Sequence, residues 1–203
     1  MTHRPIMDAG PGLNFFSQNK ERLLFAMLGA ICVPEAVHEE ILRKARTDRR
    51  FSAAERVLGK VPDRLLTVLS DDVTPDLERV VSRMCRMPYA QRMEASKDLG
   101  ETMVIAHAVV LAEQGRDVIV LIDDGGGRNM AATEAQRLRR LRVAGRPVGS
   151  LSIVGTLTIL KRAAGSEHLP DRAALRTLYA KLRTVDDGLP PLTSTGLLSL
   201  PVW

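Results

Sequence analysis

Apolar and polar positions along this chain follow two periods, one typical of strands buried in a parallel sheet and one typical of helices. The clearest case lies at residues 98–124, where an alanine- and valine-rich helical pattern turns at Gln114-Gly115 and continues as the apolar run 118–122. Such a run, rich in β-branched residues and preceded by a helix, indicates a strand covered on both faces. It ends at Asp123 and Asp124, and ligands of open α/β sheets bind where the strands end.

The same alternation recurs on both sides of this segment. The short run 5–7 ends at Asp8 and leads into a helix, and the run 30–33 stops at Pro34, which suits the first turn of the next helix. A further strand is predicted at 148–154. Helices are predicted at 35–46, 157–164 and 171–183. The alternation predicts an α/β fold with a parallel sheet flanked by helices.

Residues 47–93 and 166–203 carry weaker patterns. Three helical pieces are predicted in the first, at 52–58, 62–69 and 76–87. They suggest an inserted helical arm, although Val68-Leu69 could instead form a further strand. The second begins with a C-terminal helix and ends in a tail whose apolar residues have no clear period. This tail is expected to pack on the same domain, with a partner surface or terminal fraying as the alternatives.

Length, cysteine content and charge narrow the class of protein. The chain of 203 residues suits one domain and can bury roughly 70% of the surface that it exposes when unfolded. It has no signal-peptide pattern and no apolar run near the ~18 residues of a membrane span, so we expect a cytoplasmic protein without membrane contact. Cys32 and Cys85 are expected to stay reduced. The net charge of +5, with arginine-rich runs at 43–46, 49–50 and 137–142, suggests a polyanionic partner such as RNA. Each run could instead be simply the solvated face of a helix.

Four acidic positions are predicted to converge at one edge of the sheet. They are Asp8, Glu40, the pair Asp98 and Glu101, and the pair Asp123 and Asp124. Two carboxylates 4 Å apart repel by about 4 kcal/mol at an effective dielectric near 20, so a divalent cation is expected among them. An all-oxygen set suits Mg²⁺ or Mn²⁺ better than zinc, and such ions activate water against phosphodiesters. Taken singly, Asp8 could instead cap a turn, and Glu40 could form a surface ion pair.

Five segments resemble, in the correct order, the motifs of PIN domains. They are Ile6-Met7-Asp8-Ala9-Gly10-Pro11; Val33-Pro34 with Val37 and Glu40-Ile41; Asp98-Leu99-Gly100-Glu101; Val120-Leu121-Ile122-Asp123-Asp124 with Arg128 and Ala131; and Gly155-Thr156-Leu157 with Ile159-Leu160. The resemblance covers roughly residues 4–165 and is to the VapC-like toxin branch. It implies a PIN-like domain over 1–165, Mg²⁺- or Mn²⁺-dependent endoribonuclease activity, neutralisation by a cognate antitoxin and, often, a homodimer.

The resemblance also implies roles for individual residues. The expected catalytic and metal-binding acids are Asp8, Glu40, Asp98, Glu101 and Asp123, with Asp124 as a further metal ligand and Arg128 on the substrate phosphate. Which of Asp98 and Glu101, and which of Asp123 and Asp124, bind directly stays open. Ile122 departs from the small hydroxyl residue common near the fourth acid. Two alternatives are a PIN-like protein that binds RNA or an antitoxin without cutting, and an aspartyl-phosphate enzyme or receiver that would use Lys161.

Overall fold

One five-stranded sheet organises the protein, and every pair of neighbouring strands in it runs parallel. The structure is a computed structural model that describes residues 3–203, so the first two residues of the predicted 1–165 domain lie outside the described part. The strands are β1 (Ile6–Met7), β2 (Ile31–Pro34), β3 (Leu66–Leu69), β4 (Val118–Leu121) and β5 (Leu151–Val154). Their order across the sheet is β3-β2-β1-β4-β5. The predicted α/β class and parallel sheet are confirmed, and the architecture is consistent with a PIN-like fold.

Helices connect the strands and cover the sheet. They are α1 (Ala9–Ser17), α2 (Glu21–Leu28), α3 (Glu35–Thr47), α4 (Ala53–Leu58), α5 (Pro75–Cys85), α6 (Tyr89–Glu94), α7 (Leu99–Glu113), α8 (Gly125–Val143), α9 (Thr156–Ala163) and α10 (Arg172–Arg183). Short 3-10 turns occupy Arg49–Phe51, Leu192–Ser194 and Leu197–Ser199. Parallel strands require crossover helices, and these bury both faces of the sheet. Residues Ile6, Val33 and Val120 are accordingly fully buried.

The segment 47–93 differs from the predicted helical arm because it contributes a strand to the sheet. Strand β3 pairs along its whole length with β2 and forms one edge of the sheet, so the alternative weighed for Val68-Leu69 is correct. Helix α5 buries Leu77, Val80 and Val81 in the common core. An apolar helix face of this kind packs on the body of the protein and does not project from it.

The C-terminal extension packs on the same core. Helix α10 buries Leu175, Leu178, Tyr179 and Leu182. Beyond it, the Tyr179 hydroxyl donates to the carbonyl of Pro190 at 2.6 Å. This contact fixes the first part of the tail against the helix.

Two further predictions concern the cysteines and the membrane. Cys32 and Cys85 are both free thiols, as expected. Among residues 3–203, none of the helices combines the length and the apolar character needed to cross a membrane.

Candidate metal centre

A cleft of about 900 Å³ opens where β1 and β4 end, and all the predicted acidic residues line it. These residues are Asp8, Glu40, Asp98, Glu101, Asp123 and Asp124. Asp8 follows β1, and Asp123 and Asp124 follow β4. Glu40 and Glu101 reach the cleft from α3 and α7, and Asp98 directly precedes α7. The parallel register places the ends of β1 and β4 side by side, with Met7 opposite Leu121. Carboxylates distant in sequence therefore meet at one edge of the sheet.

Asp8 is the most deeply buried acid of the cleft. Only 5% of its surface is exposed. Burial raises its pKa from 3.8 to about 6, and the nearby Glu40 carboxylate adds to this effect. The backbone N–H groups of Ala9 and Gly10 and the Lys44 ammonium lower the pKa but do not offset the burial. Asp8 thus holds a charge that the protein alone stabilises poorly.

Glu101 lies at the electrostatic centre of the cleft. Its pKa is raised from 4.5 to about 7, chiefly by burial and then by four other carboxylates, in decreasing order Asp124, Asp8, Asp98 and Glu40. Mutual repulsion of this kind is the condition that a bound cation relieves.

Glu40 and Asp8 approach each other over the backbone of Gly100. A Cβ atom at Gly100 would lie 2.9 Å from Glu40 Oε2 and 3.7 Å from Asp8 Oδ1. The missing side chain therefore leaves room for both carboxylates. The other oxygen of Glu40, Oε1, accepts a salt bridge from Lys44 Nζ at 2.7 Å. The surface ion pair considered for Glu40 thus exists, and it lies inside the cleft.

Asp123 and Asp124, which the sequence could not separate, have different surroundings. Asp123 accepts hydrogen bonds from the Thr156 backbone N–H at 2.8 Å and from the Thr156 hydroxyl at 2.5 Å. Asp124 caps α8 and accepts from the N–H groups of Gly126 and Gly127 at 2.6 and 3.0 Å. The three glycines that follow, Gly125, Gly126 and Gly127, form the first turn of α8. Asp124 is the member of the pair that acts on Glu101.

Asp98 stands at the outer rim of the cleft. It is exposed and is the N-cap residue of α7, with a φ of 55°. A left-handed backbone costs a residue other than glycine roughly 1 kcal/mol. The carbonyl of Asp98 accepts from the Thr102 hydroxyl at 2.8 Å, which holds this conformation. Its carboxylate also raises the pKa of Glu101, so Asp98 acts on the centre of the cleft from an exposed position.

Of the predicted arginine-rich runs, the run 43–46 is the one that brings positive charge to the part of the cleft that the structure describes. Among residues 3–203, the basic side chains that line it are Arg43, Lys44 and Arg128. Arg128 Nη1 donates to the carbonyl of Ile122 at 2.9 Å, which holds the guanidinium beside the end of β4. Arg137, in contrast, forms ion pairs with Glu113 and Glu134. That part of the 137–142 run holds helices together and lies away from the cleft.

Three residues that the sequence analysis did not assign to the site belong to the cleft or its support: Asn14, Thr156 and Asp186. The Asn14 amide donates to Asp186 Oδ2 at 2.6 Å and to the Thr156 hydroxyl at 3.5 Å. Thr156 lies in the last motif of the PIN resemblance, so a signal for it existed. Asp186 lies in the extension, where no motif marked it.

The donor set of the cleft fits a hard divalent cation in its chemistry. All candidate ligands are carboxylate oxygens, as Mg²⁺ and Mn²⁺ prefer. Within residues 3–203, no group of three or more His, Cys, Asp or Glu side chains forms a ready-made metal site. Three of the acids have other partners: Glu40 is paired with Lys44, Asp123 with Thr156, and Asp124 with the amides of α8. These contacts fix the orientation of the three carboxylates, and each carboxylate still has lone pairs that could coordinate an ion.

Comparison with known proteins identifies no relative: no family model, no curated protein and no solved structure matches this chain.

Proposed function

We propose that this protein is a divalent-metal-dependent endoribonuclease that hydrolyses phosphodiester bonds of RNA with Mg²⁺ or Mn²⁺. The observation that carries the proposal is the convergence of four carboxylates on Glu101 in one cleft at the end of a parallel sheet. So many acids are costly to hold together in the absence of a cation, and that cost supports a site built to bind one.

Asp8, Glu40 and Glu101 would hold the cation, with Asp124 and Asp123 completing the set and Asp98 orienting it from the rim. A bound divalent ion lowers the pKa of water and stabilises the charge that develops on a phosphate. The raised pKa values of Asp8 and Glu101 mean that both carboxyls carry protons part of the time near neutral pH. Cation binding would release those protons, so affinity for the metal should rise with pH.

Arg43, Lys44 and Arg128 support a polyanionic substrate, because they place positive charge on the rim of the same cleft. Arginine forks bind phosphate oxygens in pairs, and a lysine ammonium adds a mobile point charge. The net charge of +5 favours encounter with nucleic acid over the whole surface. We assign Arg128 to the substrate phosphate because its guanidinium is already fixed beside Asp123 and Gly155.

The biological setting follows from the PIN resemblance. We propose a cytoplasmic toxin of the VapC-like branch, neutralised by a cognate antitoxin and able to form a homodimer. The acidic cleft with its basic rim is the surface that such a partner would block.

The decisive experiment is cleavage of total RNA by the purified chain with Mg²⁺ or Mn²⁺, beside the same reaction in chelator and with an Asp8→Ala variant. Discrete fragments that require both the metal and Asp8 would support the proposal. Cleavage that persists in the folded variant would refute the assigned site, and cleavage that persists in chelator would refute the metal requirement.

A second candidate is a PIN-like protein that binds RNA or an antitoxin without cutting. The observation in its favour is that no three potential ligands in the described part of the chain are arranged as a metal site. This candidate predicts RNA binding that does not change in chelator and no fragments under any metal condition. The same experiment, run with a binding assay in parallel, therefore separates the two.

A further inference from the structure

The C-terminal extension builds one wall of the acidic cleft. Five of its residues line the cavity: Val185, Asp186, Gly188, Leu189 and Pro190. Val185 and Leu189 are buried in the common core, and the Tyr179 hydroxyl holds the carbonyl of Pro190. The wall is therefore anchored on both sides of its polar residues, and the extension is part of the site's geometry.

Asp186 joins this wall to the acids through a continuous chain of hydrogen bonds. The Asn14 amide donates one N–H to Asp186 Oδ2 at 2.6 Å and the other to the Thr156 hydroxyl at 3.5 Å. The Thr156 hydroxyl in turn donates to Asp123 Oδ2 at 2.5 Å. Each donor and acceptor in this order is used consistently, because the hydroxyl accepts once and donates once.

The burial of Asn14 and Thr156 limits which hydrogen-bond partners they can have. Asn14 is 2% exposed and Thr156 is fully buried, so neither can exchange its partner for bulk water. A buried amide that loses one acceptor must turn to find another. The orientation of the Thr156 hydroxyl, and with it that of the Asp123 carboxylate, thus depends on an acceptor at position 186. The Asp186 carboxylate also acts on Asp123 through space and raises its pKa, although burial is the larger cause.

We propose that Asp186 is a positioning residue of the acidic centre, so that the C-terminal extension completes the site that residues 4–165 begin. This inference rests on the proposed function. Asp186 would act through Asn14 and Thr156 to hold Asp123 ready for the cation. Partners that orient metal ligands typically change affinity or activity by roughly 10- to 100-fold when they are altered.

The test compares two adjacent aspartates in the full-length protein. Asp186→Ala removes the acceptor that holds the Asn14 amide, whereas Asp187→Ala removes a carboxylate from a neighbouring side chain that is 91% exposed. Asn14→Ala breaks the chain of bonds without changing any charge. Mn²⁺ affinity, measured from the free Mn²⁺ signal in electron paramagnetic resonance, is the first readout, and kcat and KM for RNA cleavage are the second.

We expect Asp186→Ala and Asn14→Ala to weaken Mn²⁺ binding roughly tenfold and to lower kcat more than they raise KM. Asp187→Ala should stay within about twofold of the wild type, as expected of an exposed charge. A merely structural role would lower the melting temperature and leave the Mn²⁺ affinity of the folded protein unchanged. That result in both cleft variants would overturn the proposal.

The outcomes also separate this inference from the proposed nuclease. If the wild type binds Mn²⁺ but cuts no RNA, the nuclease fails, and the Mn²⁺ affinities of the variants still decide the role of Asp186. If the wild type cuts RNA and all three variants match it, only the positioning role fails. If the wild type binds no Mn²⁺, both fail. If Asp186→Ala does not fold, Asn14→Ala decides.

Discussion

Replacing Asp8 with asparagine should stabilise the metal-free protein while abolishing the proposed nuclease activity. Asp8 is buried, and its pKa is raised from 3.8 to about 6. A carboxyl whose pKa is raised by folding binds its proton more tightly in the folded state. The proton on Asp8 therefore stabilises the folded state fully below pH 3.8, and this stabilisation is lost as the pH rises through 6. A pKa increase of this size corresponds to about 3 kcal/mol, and an isosteric amide escapes most of that loss.

The free energy of unfolding, measured in urea with chelator present, is the quantity to compare. At pH 8 the Asp8→Asn variant should be more stable than the wild type by about 2–3 kcal/mol. At pH 3.5 the two should agree closely, because the wild-type carboxyl is then mostly protonated in both states. Asp187→Asn, which removes an exposed charge, is the control and should change stability by less than about 0.5 kcal/mol.

Added Mg²⁺ should reverse the order of stabilities at pH 8. A ligand that binds only the folded state adds stability in proportion to the logarithm of its concentration over its dissociation constant. The wild type keeps the Asp8 carboxylate and should gain this stability, whereas Asp8→Asn should gain little. If the variant is no more stable than the wild type at pH 8 in chelator, or if the difference persists at pH 3.5, buried charge is not the cause of the raised pKa.

Three other substitutions test further contacts. Gly100→Ala places a Cβ atom 2.9 Å from Glu40 Oε2. This atom should displace the Glu40 carboxylate and weaken Mn²⁺ binding roughly tenfold, while the circular dichroism spectrum stays unchanged. An unchanged Mn²⁺ affinity would contradict this prediction. Lys44→Gln removes a cation that lowers the pKa of Asp8. NMR titration should show the pKa of Asp8 above its wild-type value, and Mn²⁺ should bind more tightly. A lower pKa of Asp8 would refute the effect assigned to Lys44. Glu134→Gln breaks ion pairs with two arginines. It should lower the free energy of unfolding, measured in urea, by about 2 kcal/mol. A decrease of less than about 0.5 kcal/mol would show that solvent screens these ion pairs.

Short-range patterns were enough to identify most elements of the sheet. The apolar run before Asp123 and the run that stops at Pro34 correspond to β4 and β2, because a strand buried on both faces has no polar positions. Strand β3 was harder to predict, since as an edge strand it exposes Thr67 and Val68 and is not uniformly apolar. Its pairing with β2 decides its conformation, and pairing between distant segments leaves no local period.

Some properties of the acidic residues were likewise predictable from local patterns, and others depend on tertiary contacts. Asp8 and Asp123 were found because each directly follows an apolar run, and parallel strands end at a common edge. The different surroundings of Asp123 and Asp124 were not predictable, because they depend on Thr156 and on the amides of α8. Asp186 had no signal at all, since its acceptor role exists only once Asn14 lies beside it.

By itself, therefore, the sequence determined the parallel α/β class, the strands that end in acids and the all-oxygen character of the site. These properties depend on side-chain type and on spacing within a few residues. Tertiary packing alone decided that Glu101 lies at the centre of the carboxylates, that Lys44 pairs with Glu40, and that the C-terminal extension walls the cleft. Electrostatic and hydrogen-bond energies depend on distance and burial in three dimensions, and neither quantity can be obtained from the separation of residues along the sequence.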